Sequence, residues 1–206
     1  MTLQGFVHHS QYLDRAAQEA LLAAVRPIVA RAPFHVPAMP RSGKPLSVRM
    51  TNCGSLGWIT DKEGGYRYEP RHPATGEPWP PLPKVLLDLW AKLGGYPAPP
   101  EACLVNYYGD DARLGSHVDQ DEADGAAPVL SVSLGDDCIF HIGGRRRGDP
   151  RTRITLRSGD VVILAGEARR AYHGVDRILP GTSDLLTEGG RINLTLRRVT
   201  VPAAAP

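Results

Sequence analysis

The chain has 206 residues, 42% of them hydrophobic and 22% charged, with a net charge of only +2. That length supports one domain with a well-buried core, no apolar run approaches the roughly 18 residues of a membrane span, and so small a charge does not by itself mark a nucleic-acid binder. Cys53, Cys103 and Cys138 are odd in number and form no CxxC pair, and the polar, histidine-bearing N-terminus does not read as a secretory signal. A cytoplasmic protein with reduced thiols is therefore expected.

Residues 1–100 read as helices and loops. Tyr12 to Ala30 places Leu13, Ala17, Leu21 and Val25 at helical spacing, with Ser10 as a cap and Pro27 and Pro33 bounding or kinking the end. A Pro/Gly-rich tract follows from Pro33 to Pro83, with a short apolar-polar stretch at Ser47 to Thr51. Its aromatics, Trp58, Tyr66, Tyr68 and Trp79, sit among turn residues. Pro83 to Leu93 predicts a second helix, stopped by Gly94-Gly95.

From residue 102 the period changes to two. Ala102–Tyr108, Val129–Leu134, Cys138–Ile142, Arg153–Arg157, Val161–Leu164, Ala171–Val175 and Arg191–Val199 predict short strands. Gly109-Asp110-Asp111, Gly135-Asp136-Asp137, Gly143-Gly144 and Ser158-Gly159-Asp160 mark turns between them. Helices first and strands afterwards give an α+β class with a sandwich or jelly-roll core, ending in a frayed tail at residues 200–206.

Three places carry chemistry. His117-Val118-Asp119 sets an imidazole and a carboxylate two residues apart, and His173 follows far downstream in Ala171-Tyr172-His173-Gly174-Val175. On a strand, residues i and i+2 share a face, so His117 and Asp119 are expected to point together into a barrel mouth and meet His173 from a neighbouring strand. Two imidazoles and one carboxylate suit Fe(II), with Co, Ni or Mn as competitors, and leave positions open for an oxidant and a co-substrate. An HxD pair alone is a short pattern, and His72 and His141 carry no evident chemistry.

In Arg191-Ile192-Asn193-Leu194-Thr195-Leu196-Arg197, the apolar residues line one face and Arg191, Asn193, Thr195 and Arg197 the other. On an ordinary sandwich strand that polar face is solvated; in a barrel it lines a polar interior. Two guanidinium forks flanking an amide suit a dicarboxylate such as 2-oxoglutarate. Six residues of strand span roughly 20 Å, so both side chains would have to lean inward. Asn106 and Tyr108 share a face of their own strand and suit the same acid. The third place is Arg145, Arg146, Arg147, Arg151 and Arg153, with Arg157 beyond, which reads either as a solvated loop or as a phosphate-contacting edge.

Together these segments resemble the AlkB family of Fe(II)/2-oxoglutarate-dependent dioxygenases, from about Pro40 to Val199 and most clearly from Cys103 onward. The resemblance rests on Asn106-Tyr107-Tyr108, His117-Val118-Asp119-Gln120-Asp121-Glu122, Val132-Ser133-Leu134-Gly135 and Phe140-His141-Ile142-Gly143-Gly144. Gly159-Asp160-Val161-Val162, Tyr172-His173-Gly174 and the Arg191–Arg197 strand complete it. It implies one dioxygenase domain, with a double-stranded β-helix core at residues 101–199 preceded by a helical and lid extension at 1–100. By the same similarity His117, Asp119 and His173 hold Fe(II), and O2 and 2-oxoglutarate are co-substrates, the latter bound at Asn106, Tyr108, Arg191, Asn193 and Arg197.

Trp58 and Tyr66 fall in the family's nucleotide-recognition lid, where an aromatic ring stacks on the damaged base opposite an iron-ligand histidine. Gly54, Gly57, Gly64 and Gly65 would let such a flap move. Asp121 matches a contact to the base's exocyclic nitrogen, and Arg147 a position that touches substrate or lines its pocket. The implied activity is repair of alkylated DNA, single-stranded or with its base flipped out. The enzyme would oxidatively demethylate N1-methyladenine and N3-methylcytosine and release formaldehyde; a monomer is the default expectation, since the sequence is silent on oligomeric state. Alternatives are the same chemistry on RNA, tRNA or a protein, or a non-catalytic nucleic-acid-binding module with a structural metal. Two departures from the family pattern stand out: Gly109-Asp110-Asp111 replaces a Pro-Gly turn, and Leu164 stands where an aromatic is usual near the metal.

Overall fold

A computed structural model describes residues 3–203; residues 204–206 of the expected tail lie outside the described residues. In chain order its elements are β1 (Phe6–His9), α1 (Arg15–Arg31), β2 (Val48–Gly54), β3 (Gly57–Asp61), β4 (Gly65–Glu69) and α2 (Lys84–Leu93). They continue with β5 (Ala102–Tyr108), β6 (Leu114–His117), β7 (Val129–Gly135), β8 (Asp137–Ile142), β9 (Thr152–Leu156) and β10 (Val161–Leu164). A 3-10 helix (Gly166–Arg170), β11 (His173–Leu179) and β12 (Arg191–Arg197) complete the chain.

Six strands form an antiparallel sheet in the order β1-β10-β7-β12-β5-β2, four form a second in the order β6-β11-β8-β9, and β3 pairs with β4 alone. Neighbours distant in sequence, in two facing antiparallel sheets, make the expected jelly-roll. The division into helices first and strands afterwards does not hold. Strands β1 and β2, both within residues 1–100, join the large sheet, pairing with β10 and β5.

Two apolar layers hold these parts. On the outer face of the large sheet, Ile192, Leu194 and Leu196 of β12 pack with Leu21, Val25 and Ile28 of α1 and Leu86, Leu89 and Trp90 of α2. Between the sheets, Val48, Met50, Tyr108 and Val162 meet Phe140, Ile142, Leu156 and Val175. The alternation in β12 decides this: one face seals the helices, and its polar face is left inside the sandwich.

Helix α1 begins later than Ser10 predicts. Asp14 is its cap, accepting a hydrogen bond from the Ala17 amide at 2.9 Å. The residues before it are held as a turn, because Gln11 N donates to Asp160 and Leu13 N to the Gly159 carbonyl. Pro27 sits inside the helix, which runs on to Arg31. The second helix ends as expected, with Gly94 N bonded to Trp90 O and Gly95 at a φ of +59°.

The tract around Trp58 and Tyr66 is the β3–β4 hairpin rather than loop. Asp61 accepts from the amides of Glu63 and Gly64 at its turn, and Arg67 bonds both Asp61 and Glu69. Two of the glycines expected to let it move, Gly54 and Gly57, sit where the backbone passes close to other groups. A Cβ on Gly57 would lie 2.4 Å from the Trp79 ring, and one on Gly54 would lie 2.1 Å from the Glu101 carbonyl.

Candidate active site

β6 stops at His117, so Val118 and Asp119 belong to the loop that follows, and the expected common strand face is replaced by a clamped loop. The clamp is Arg169 of the 3-10 helix. Its Nε donates to the Ala127 carbonyl (3.0 Å), one Nη to the Asp119 carbonyl (2.8 Å) and the other to Glu122 (2.8 Å). His173 opens β11 as the cross-strand partner of His117.

These three side chains converge. His117 and His173 ring centroids lie 4.5 Å apart, and the Nε2 atoms stand 3.8 and 3.7 Å from the two Asp119 carboxylate oxygens. His117 Nδ1 donates to the Gly115 carbonyl at 2.9 Å and His173 Nδ1 to the Ala171 carbonyl at 3.0 Å. A carbonyl can only accept, so Nδ1 carries the proton and the Nε2 lone pair faces the centre. Burial pushes His173 down to about 4, with His117 adding to the effect, which keeps it neutral at physiological pH.

Burial alone would push the Asp119 carboxyl up. The Arg197 guanidinium, the two imidazoles and Arg169 outweigh it and hold the group ionised well below the usual carboxylate range. Asp119 Oδ1 accepts from Arg197 at 2.7 Å, while Oδ2 is buried without a partner among the described residues. An orphaned carboxylate oxygen beside two imidazole lone pairs, with ligand atoms all within 4.8 Å of one another, is a donor set that a divalent cation such as Fe(II) completes.

Beside the triad a cavity of about 540 Å³ runs between the sheets. Asn106, Tyr108, Arg191, Asn193 and Arg197 all line it, with Asn193 directly opposite Asn106 and Arg191 opposite Tyr108 across β12 and β5. Arg191 is 1% exposed and lies over the Tyr108 ring; one Nη bonds Ser133, but among the described residues Nε and the other Nη are buried with no partner. Asn106 Oδ1 is likewise unpartnered. Buried guanidinium donors left open call for an anion, and a small keto acid fits the space.

The two arginines are not an equivalent pair. Arg197 is already engaged, donating to Asp119, to Glu122 at 2.8 Å and to the Tyr68 hydroxyl at 3.1 Å, and only its Nε is open. It belongs to the metal end of the cavity, whereas Arg191 serves the far end.

At the mouth, Trp58 and Tyr66 stack at 5.6 Å with a 20° interplanar angle. The Trp58 indole donates to Asp121 at 2.7 Å, and Asn52 brackets its backbone from both sides. Arg147 lines the same mouth with its guanidinium 5.5 Å from the Tyr172 ring centroid. Leu164 is buried in the cavity wall.

A family model described as the 2OG-Fe(II) oxygenase superfamily matches residues 5–197. The chain is 58% identical over 186 residues to an alpha-ketoglutarate-dependent dioxygenase AlkB homolog of Caulobacter vibrioides NA1000, spanning 90% of this chain and 84% of that one. It belongs to the AlkB family of Fe(II)- and 2-oxoglutarate-dependent dioxygenases. The alpha-ketoglutarate-dependent dioxygenase AlkB of Escherichia coli K12 is 43% identical over 186 residues, 88% of this chain and 85% of its own. The solved structure of OsALKBH1 matches with a TM-score of 0.77 at 30% identity, covering 94% of this chain and 98% of its own. Fe(II), 2-oxoglutarate and O2 are thus the dioxygenase's cofactor and co-substrates.

Sequence reasoning missed the buried network behind Asp119. Glu122 lies in the same short run as His117 and Asp119, yet nothing local marks it as the partner of Arg169, Arg197 and the Tyr68 hydroxyl (2.5 Å). The arginine pair just ahead of Ala171-Tyr172-His173 was the available signal for Arg169. Two of the remaining histidines, His72 and His141, are structural. His72 bonds the Pro33 carbonyl and accepts from two amides, and His141 bonds Asp176 at 2.7 Å from the back of the smaller sheet. All three cysteines are free and buried, and among the described residues no helix is long and apolar enough to cross a membrane.

Proposed function

We propose that this dioxygenase repairs alkylated DNA, oxidatively demethylating N1-methyladenine and N3-methylcytosine and releasing formaldehyde. The observation that carries the reading is the mouth of the cavity: a flat Trp58–Tyr66 pair, tied to Asp121, standing over the same space that His117 lines. A base extruded from its strand needs two flat walls and a polar group at its edge. An aromatic wall is worth roughly 1–3 kcal/mol per stacked base.

His117, Asp119 and His173 hold the metal, and Arg191, Tyr108, Asn106, Asn193 and Arg197 receive 2-oxoglutarate. Trp58, Tyr66, Asp121 and Arg147 take the base. Bound there, iron with 2-oxoglutarate and O2 supplies a two-electron oxidation of the N-methyl carbon, coupled to decarboxylation of the keto acid to succinate and CO2. The resulting N-hydroxymethyl group leaves as formaldehyde and returns the nitrogen to the base. Arg197 and Arg169 keep the Asp119 carboxylate charged, and the Nδ1 hydrogen bonds keep both imidazoles in the ligating tautomer. Lesions on the pairing edge suit the site because they already prevent pairing, which lowers the cost of extrusion. We read residues 1–206 as one catalytic unit that acts as a monomer in the cytoplasm.

The test is mass spectrometry of methylated single-stranded DNA after incubation with protein, Fe(II), ascorbate and 2-oxoglutarate. Loss of the methyl mass with stoichiometric succinate is the expected result. Succinate release on another substrate without loss of methyl mass from DNA would reject the assignment. An RNA strand of the same sequence runs in parallel, and faster turnover of it moves the substrate to RNA.

A further inference from the structure

Apart from Arg147, the arginines of the β8–β9 connection and the start of β9 take no part in the chemistry above. Arg145, Arg146, Arg147, Arg151 and Arg153 are all exposed. Arg153 bonds Asp176 at 2.8 Å, but among the described residues Arg145, Arg146 and Arg151 have neither an ion-pair partner nor a side-chain hydrogen bond. The turn does not need them for its shape. Its form is set by Arg146 N donating to Asp149 Oδ2 (2.9 Å) and Asp149 N donating to the Arg146 carbonyl (3.0 Å). Gly144 presses so close that a Cβ there would lie 2.2 Å from the same carboxylate.

The loop is also fixed to the catalytic wall. Gly143 N donates to the Tyr172 carbonyl and Tyr172 N to the Gly144 carbonyl, at 2.8 and 2.9 Å, one residue ahead of His173. A rigid turn therefore holds three unpaired guanidinium groups in water beside Arg147 and Tyr172, which line the cavity mouth. The one carboxylate within the turn, Asp149, is spent on the turn itself.

From this we infer that Arg145, Arg146 and Arg151 form a phosphodiester anchor, distinct from the base pocket, that grips the sugar-phosphate backbone flanking the extruded nucleotide. The inference rests on the nucleic-acid reading proposed above and adds where the strand lies. Such contacts position a strand without reading its sequence or its sugar. They release counterions, so their signature is salt dependence.

The experiment compares the wild-type protein with the triple variant R145Q/R146Q/R151Q, which leaves Arg147 in place, and with R145K/R146K/R151K. Binding of a fluorescent single strand carrying one N1-methyladenine is followed against salt, as DNA and as RNA, and turnover is measured on the free nucleoside N1-methyl-2′-deoxyadenosine, which carries no phosphate. With about 0.7 of a log unit of slope per single-strand phosphate contact, three lost contacts lower the salt slope by about 2 and weaken low-salt binding by about ten- to a hundredfold. The lysine variant restores the slope, because an ammonium also neutralises phosphate, and DNA and RNA change alike. Nucleoside turnover stays within about twofold of wild type.

An unchanged slope in the glutamine variant overturns the anchor, as does a change confined to DNA or to RNA. A loss that lysine fails to restore overturns it too. An equal fall in nucleoside turnover overturns its separation from the base pocket. Failure of the demethylase reading looks different: a wild-type protein that binds strands with the full slope yet removes no methyl group.

Discussion

Arginine is used in two opposite ways within a short distance of the metal centre. Arg169 and Arg197 are buried, with carboxylates, carbonyls and a phenol spent on satisfying them, and their product is the fixed position and charge of Asp119. Arg145, Arg146 and Arg151 stand in water and, among the described residues, are matched by nothing. Charge taken out of water demands partners and returns geometry; charge left in water costs little and offers only long-range, salt-screened attraction. The contrast predicts that the buried set governs stability and metal binding, and the exposed set governs neither.

The largest effect is expected from Arg197→Leu, which strands Asp119 and part of Glu122 as uncompensated buried charge. Urea unfolding should show a loss of about 3–5 kcal/mol, and a loss below about 1 kcal/mol would contradict the network's role. Tyr68→Phe removes only the hydroxyl that joins Glu122 and Arg197. A loss of about 1.5–3 kcal/mol is expected, the range for hydrogen bonds to charged groups, with weaker Co(II) binding measured by titration. Unaltered metal affinity would show that the β3–β4 hairpin does not support the centre.

Gly174→Ala tests the smaller sheet. Its Cβ would come within 2.5 Å of the Leu114 carbonyl and 2.8 Å of the His141 ring, so β6 and its His117 must shift. Overpacking of this kind costs about 1–3 kcal/mol, and Co(II) binding should weaken with it. A variant that binds Co(II) like wild type would mean the strands can slide without moving the ligand.

Acid should expose the same contrast. His173 and His35 are held down to about 4, chiefly by burial, against an ordinary value of 6.5. Between those values the unfolded chain binds protons that the fold refuses, so stability is whole above about 6.5 and declines as pH falls towards 4. Glu122 is held low as well: Arg197, Tyr68 and Arg169 overcome its burial, and its contribution is lost as pH drops below the ordinary carboxylate range. The melting temperature of metal-free protein should fall steadily from pH 7 to 4; a flat profile would deny the burial. The smallest effect belongs to Arg145→Ala and Arg146→Ala, which should leave unfolding within about 0.5 kcal/mol of wild type.

What the sequence made legible follows from the range of the forces involved. β12 and β5 showed their two faces because alternation is local, and the structure keeps both predicted faces, with Asn193 opposite Asn106. The three metal-site residues were legible as residue types, but the path that joins them was not. Asp119 reaches the centre from a loop clamped by Arg169, a contact 50 residues away in sequence. The β3–β4 hairpin hid because glycines and charges at its turn resemble plain loop, and only the pairing of Trp58 with Tyr68 and of Thr60 with Tyr66 reveals strands. Tyr68, Glu122, Arg169 and Arg197 share no period or spacing, so their meeting is a property of the fold alone.

β6 ends its sheet, bonded on one side only, while β11 is flanked by β6 and β8. Of the three metal-site residues, His117 therefore rides on a four-residue margin that can fray while Arg169 still clamps Asp119. Local opening of that kind needs far less free energy than global unfolding. Escape of the cation is thus tied to fraying of one short ribbon, and its residence time to how firmly that ribbon adheres.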